Sequence, residues 1–274
     1  MNDVFSQMLA AHTMPGEDGK RNALYEVMQQ VALAGLARGG FFQEAAFYGG
    51  TCLRLFHGLK RYSEDMDFSL IKKNPDFQFE KYFPAIIEEA RRLGQEVTIT
   101  KKDKRTFDRV ESAFLKDTTD VYNIHFQTER SLRIKIEVDT NPPLSFATEQ
   151  RLMVQPYSFM VQCMTLPCLF AGKMHALVYR QWKNRVKGRD WYDFEWYVRW
   201  NHPLNWAHLH ERIVEFSGKE CTKAEFLELL HHRLATTDIN QVKADVLPFV
   251  HHPQELDIWS NDYFLQLAQR IRWE

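Results

Sequence analysis

The chain has 274 residues, 45% apolar and 26% charged, with 35 basic residues against 36 acidic ones. That composition belongs to a folded globular protein and excludes both a disordered chain and a uniformly basic nucleic-acid binder, so any grip on nucleic acid must come from a local patch. At ~100–200 residues per domain, the length fits one large domain or two modest ones.

Along the chain, the spacing of Leu24, Val27, Met28, Val31, Leu33 and Leu36 predicts a helix over 20–38 that stops at Gly39-Gly40. The apolar run Ala45-Ala46-Phe47-Tyr48 reads as a buried strand, followed by a Gly49-Gly50-Thr51 turn and a short amphipathic helix through Leu53, Leu55 and Phe56. Residues 65–70 alternate charged and apolar side chains, as a strand with one buried face does. A helix is expected over 79–94, and strands over 96–100, 109–115, 121–127 and 131–139, the last closed by Asn141-Pro142-Pro143.

Residues 152–172 carry no charge and are about as long as a membrane span, but Pro156, Pro167, Gln155 and Gln162 argue for a buried strand running into a helix start. A helix follows to Trp182, Gly188 breaks it, and a second helix runs from Asp190 to about Trp200. The remainder has helical spacing in several pieces. The expected organisation is an α+β chain: an N-terminal half of strands and helices over 1–160 and a helical C-terminal lobe over 161–274, joined without a flexible linker.

Cys52, Cys163, Cys168 and Cys221 form no CxxC pair and read as reduced thiols. With an N-terminus, Met1-Asn2-Asp3-Val4, that lacks the blocks of a signal peptide, they point to a cytoplasmic protein without membrane attachment. The adjacent pairs His231-His232 and His251-His252 lack the i, i+4 spacing of a zinc site.

Three segments carry chemistry. In Ser63-Glu64-Asp65-Met66-Asp67-Phe68, two carboxylates two residues apart on a strand share one face. Converging carboxylates repel, and a hard divalent ion such as Mg²⁺ is their natural partner. Ahead of them, Gly49-Gly50-Thr51 sits between a strand and a helix, where backbone N–H groups and the helix N-terminus favour a phosphate. The two together suggest chemistry on a nucleoside triphosphate. A second acidic pair, Glu137 and Asp139, lies on one face of Arg133–Asp139; alone it reads as a half-exposed edge strand, but either carboxylate could complete a metal site or accept a proton. Third, Lys173 and Arg180 share a helix face, and residues 173–199 hold seven basic and three acidic side chains interleaved with aromatics. Most of those aromatics are expected in the core, and Asp190 with Asp193 also fits a helix N-cap.

In this order and combination, Gly49-Gly50-Thr51-Cys52-Leu53-Arg54, Ser63–Phe68, Ile136-Glu137-Val138-Asp139, Ala171-Gly172-Lys173 and Arg189-Asp190-Trp191-Tyr192-Asp193-Phe194 make the sequence resemble the AbiEii/AbiGii family of nucleotidyltransferase toxins, in the DNA polymerase β-like superfamily. The resemblance spans about residues 24–200. It implies a polymerase β-like core with a mixed sheet, a helical C-terminal lobe, and membership of a type IV toxin–antitoxin or phage-defence module. Some members, the MenT-type toxins, transfer nucleotides to the 3′ end of tRNA.

Carried over by position, the resemblance implies that Asp65, Asp67 and Glu137 hold Mg²⁺, with Asp139 competing for the third place. It implies that Gly49, Gly50, Thr51 and Ser63 receive phosphates, that Lys173 pairs with the triphosphate, that Asp190 is the acidic residue of the last motif, and that Arg54 and Arg189 are further phosphate contacts. The partners implied are an NTP, tRNA and a cognate antitoxin encoded nearby. Rival readings are transfer to a protein or small-molecule hydroxyl, and a catalytically inactive nucleic-acid-binding protein of the same fold.

Overall fold

The computed structural model describes residues 3–12, 16–102, 118–127, 132–180 and 186–274. In chain order the main elements are α1 (Asp3–Ala10), α2 (Gly16–Arg38), β1 (Ala45–Tyr48), α3 (Gly49–His57), β2 (Met66–Leu70), α4 (Phe83–Arg92), β3 (Val97–Lys101), β4 (Thr119–Phe126) and β5 (Leu132–Asp139). Then come β6 (Thr148–Met153), β7 (Phe159–Met164), α5 (Leu166–Tyr179), α6 (Gly188–Arg199), β8 (Pro203–Leu204), α7 (Trp206–Ser217), α8 (Lys223–Thr236), α9 (Ile239–Val246), α10 (Asn261–Ala268) and β9 (Arg272–Trp273).

Seven strands form one mixed sheet in the order β3-β4-β5-β2-β1-β7-β6. β2 runs parallel to β5 and antiparallel to β1, while β1 runs parallel to β7. The alternation in β5 buries Leu132, Ile134, Ile136 and Val138 and leaves the intervening residues on the other face. Sequence alone suggests an edge for this segment; the structure seats it between β4 and β2, and the edges are β3 and β6. That placement puts Glu137 directly opposite Asp67.

Helix α2 crosses the sheet and α4 packs on it so closely that a Cβ on Gly35 would lie 2.6 Å from the Ile86 Cα. In the C-terminal half, α5 packs against α6 and α7, and α9 lies against α6. Trp191, Tyr192, Trp196 and Tyr197 are buried there, as expected of core aromatics, whereas Trp200 is exposed. Buried side chains from Phe5 to Ala268 form one continuous cluster, so the two halves share a core.

Helix α1 carries no strong sequence signal and was not expected. The uncharged stretch 152–172 contains the end of β6, a turn at Pro156, all of β7 and the start of α5. The last strand of the seven-stranded sheet ends at Met164. Among the described residues, no helix is long and apolar enough to cross a membrane. The strand expected over 109–115 lies outside the described residues.

Candidate active site

A cavity of about 340 Å³ opens where the sheet meets α5, α6 and α7. Its acidic side is built by strand register. Asp67 on β2 faces Glu137 on the parallel β5, and Asp65 stands one residue before β2 begins. Thr51 fixes the Asp65 backbone by donating its hydroxyl proton to the Asp65 carbonyl. Gln29 does the same for the preceding loop, donating from Nε2 to the carbonyls of Ser63 and Glu64 at 2.9 and 3.0 Å. Burial, then the charges of Glu137 and Asp65, push the Asp67 carboxyl up to about 7. Glu137 itself is paired with Lys135 at 2.5 Å. Asp139 also lines the cavity but accepts the Asn141 N–H at 3.0 Å, closing the strand end.

Beside the carboxylates, the chain leaves β1 and turns into α3 through two glycines. Gly49 has φ of 81°, and a Cβ there would lie 2.0 Å from the Asp67 Oδ2. A Cβ on Gly50 would lie 2.8 Å from both the Arg61 guanidinium and the Ser63 Oγ. No side chain caps the start of α3, so its first N–H groups remain as donors at the cavity, and Gly49, Gly50 and Ser63 line it.

The opposite wall is basic. Lys173 on α5 reaches Asp193 at 2.8 Å and Asp190 at 3.4 Å, and Arg180 reaches Asp190 at 3.0 Å. Arg61, buried in the loop before β2, donates two bonds of 2.6 Å to Asp193, in the fork geometry that suits a carboxylate. Burial opposes ionisation of Asp190 and Asp193, but Arg180 and Lys173 hold the first, and Arg61 and Lys173 the second, below the usual carboxylate range. Lys187 has the converse problem: burial, with Arg180 close by, pushes its ammonium down to about 7. Arg189 lies 4.2 Å over the Phe249 ring and 4.0 Å from Glu64.

The expected site residues thus divide. Asp65, Asp67, Glu137, Asp139, Lys173, Asp190, Arg189, Gly49, Gly50 and Ser63 all line one cavity. Thr51 is buried behind it as a backbone anchor, and Arg54 points elsewhere, bound to Glu26 and to the carbonyls of Leu59 and Lys60. Asp190 is not an N-cap: α6 starts two residues earlier, and the carboxylate is spent on Lys173 and Arg180. Sequence reasoning missed Arg61 and Arg212, which also line the cavity, and counted Lys187, another lining residue, only within the basic patch of 173–199. Arg61 lay just ahead of the acidic motif, but only the fold reveals its partner 132 residues away.

The donor set suits a magnesium–triphosphate ligand. Among the described residues no three His, Cys, Asp or Glu side chains are already gathered as a metal cage. Mg²⁺ does not need one, since it is usually held by one or two carboxylates together with substrate phosphates. The raised Asp67 beside two further carboxylates is a site that a cation would relieve, and the depressed Lys187 is one that an anion would relieve. A single ligand carrying both charges answers both.

Fold and chemistry converge on one class, and the chain is a nucleotidyltransferase. It belongs to the nucleotidyl transferase AbiEii toxin family of type IV toxin–antitoxin systems, whose model matches residues 31–267. The fold is shared with MenT4, a nucleotidyltransferase toxin of Mycobacterium tuberculosis H37Rv, at a TM-score of 0.61 and 14% identity over 96% of this chain and 87% of that one. JHP933 from Helicobacter pylori is similar at a TM-score of 0.53 and 16% identity, covering 91% of this chain and 90% of that one. No curated protein matches the sequence.

Proposed function

We propose that this nucleotidyltransferase is a Mg²⁺-dependent toxin that transfers a nucleotide from an NTP to the 3′ end of tRNA in the cytoplasm, and that an antitoxin encoded nearby neutralises it. The observation that carries the reading is the bipolar cavity, in which Asp67 faces Glu137 across from a wall of Lys173, Lys187 and Arg189.

Asp65, Asp67 and Glu137 would hold Mg²⁺, which when bound lowers the pKa of an attacking hydroxyl and stabilises charge on a leaving pyrophosphate. The N–H groups of Gly49 and Gly50 receive phosphate oxygens, and Ser63 beside them can donate another bond. Lys173, Lys187 and Arg189 neutralise the triphosphate, with Asp190 and Asp193 fixing Lys173 in place. The acceptor oxygen forms its bond to the α-phosphorus as the bond from that phosphorus to the β-bridging oxygen breaks. Pyrophosphate leaves, and the hydroxyl proton passes to a carboxylate of the acidic side.

The basic and aromatic lining favours a polynucleotide acceptor over a small molecule. Sequencing tRNA 3′ ends from cells that express the protein tests this. Added nucleotides are expected, absent with the Asp65→Ala, Asp67→Ala double variant. Unchanged ends in cells whose growth is arrested would refute tRNA as the acceptor.

A further inference from the structure

The C-terminal half contributes a third helix, α7, to the cavity. His208, Arg212 and Phe216 are spaced four apart on it, so they share one face, and all three line the cavity. Arg212 differs from most of the other cations there. Arg61, Lys173 and Arg180 are held by Asp193 and Asp190, and Lys135 is held by Glu137. Among the described residues Arg212 has no ion-pair partner, and its Nε is buried without a hydrogen bond. The acids flanking it are engaged elsewhere: Glu211 accepts the N–H groups of Leu144 and Ser145 at 3.1 and 2.8 Å, and Glu215 pairs with Lys73 at 3.2 Å. A guanidinium kept inside a cavity without an ion-pair partner is arranged for an anion that arrives with a ligand.

Arg212 comes from α7, a different helix from those that carry Lys173 and Arg189. The cations that act on Asp67 are Lys187 and Lys173, from the α5–α6 side. Arg212 acts on the Tyr48 hydroxyl, which also faces the charges of Asp67, Asp139 and Glu137. One turn along α7, Phe216 is 45% exposed, and its ring meets His175 and Tyr179 edge-on at 5.3 and 5.7 Å. An exposed aromatic ring within a charged cavity is a surface on which a base can stack, and a guanidinium one turn away can take the phosphate of the same strand.

We infer that Arg212 and Phe216 form a subsite for the terminal nucleotide of a polynucleotide acceptor, with Arg212 on its backbone phosphate and Phe216 under its base, separate from the place of the NTP. This rests on the proposed polynucleotide acceptor. It assigns the C-terminal half a direct part in choosing the substrate.

The test compares Arg212→Gln, Arg212→Lys and Phe216→Ala with the wild type, after thermal unfolding has shown that each is folded. Two quantities are read: the KM for total tRNA in transfer, and the Kd for labelled NTP with Mg²⁺. Arg212→Gln should raise the tRNA KM about ten- to a hundredfold and flatten its dependence on salt by about one counterion, leaving the NTP Kd within about twofold. Arg212→Lys should recover part of the loss, and Phe216→Ala should raise the tRNA KM about five- to tenfold. A weakened NTP Kd with an unchanged tRNA KM would assign Arg212 to the triphosphate and overturn the inference, as would no change in either. If wild-type protein labels no tRNA with any NTP, the proposed acceptor fails, and anisotropy of a fluorescent single-stranded RNA oligonucleotide decides the subsite separately. Binding that Arg212→Gln abolishes would uphold it, and no binding by the wild type would overturn it.

Discussion

Asp67 and Arg61 show at single residues what the cavity asks of the fold. Asp67 carries a folded-state pKa of about 7 because burial and the charges of Glu137 and Asp65 disfavour its ionised form. The folded protein therefore holds a proton that the unfolded chain has lost by pH ~4. Stability from this group is fully present below that value and is lost as pH rises through about 7. Asp67→Asn removes the conflict. In EDTA its melting temperature should gain on the wild type between pH 5 and pH 8, by an amount worth about 1 kcal/mol or more, while transfer falls at least ~100-fold. A gap that does not change with pH would contradict this account of Asp67. Arg61 and Asp193 pose the opposite case, a fully buried pair with two bonds of 2.6 Å. Arg61→Met strands a buried carboxylate and should cost about 3–5 kcal/mol in urea denaturation. A cost below about 1 kcal/mol would mean that Lys173 alone satisfies Asp193.

At the scale of elements, the close approaches depend on glycine. Gly49 joins β1 to α3 with φ of 81° and with Asp67 against the space where a Cβ would be. Gly49→Ala should therefore lose transfer along with about 1–3 kcal/mol of stability. Gly188 opens α6 against the backbone of α9, where a Cβ would lie 2.1 Å from the Val242 carbonyl oxygen, and its N–H donates to Asp245 at 2.8 Å. Gly188→Ala should force α6 away from α9 and cost about 1–3 kcal/mol in the same denaturation experiment; wild-type stability would show that the contact yields. These elements were largely legible in the sequence, because the period-two pattern of β2 and β5 and the helical spacing of α2 are local signals. What pairs with what was not. The alternation in Arg133–Asp139 fits an edge strand as well as a central one, and only the parallel pairing with β2 sets Glu137 opposite Asp67. The choice at Asp190 between a cap and a place in the site stays open in the sequence, because nothing local shows that Lys173 and Arg180 will claim its carboxylate.

In the whole molecule, the acidic side of the site comes from the sheet and the basic side from the helices, and one core joins them. The motifs that signal chemistry in the sequence are clustered ones, which is why the carboxylates, the glycine turn and Lys173 were visible. Arg61 and Arg212 belong to the cavity only through long-range packing and carry no spacing that marks them. The same interdependence means that residues 1–160 should not fold alone. A cut there divides β7, which lies between β1 and β6, and removes Asp193 from Arg61. A fragment ending at residue 160 should show no cooperative thermal transition; a sharp one would establish an independent N-terminal domain. The central claim, that the bipolar cavity transfers a nucleotide to tRNA, is tested most directly by transfer in vitro. Purified protein is incubated with Mg²⁺, total tRNA and each labelled NTP in turn, beside the Asp65→Ala, Asp67→Ala double variant. Label on tRNA with at least one NTP, absent from the variant, is the expected result; no label with any NTP, or equal label from the variant, would contradict it.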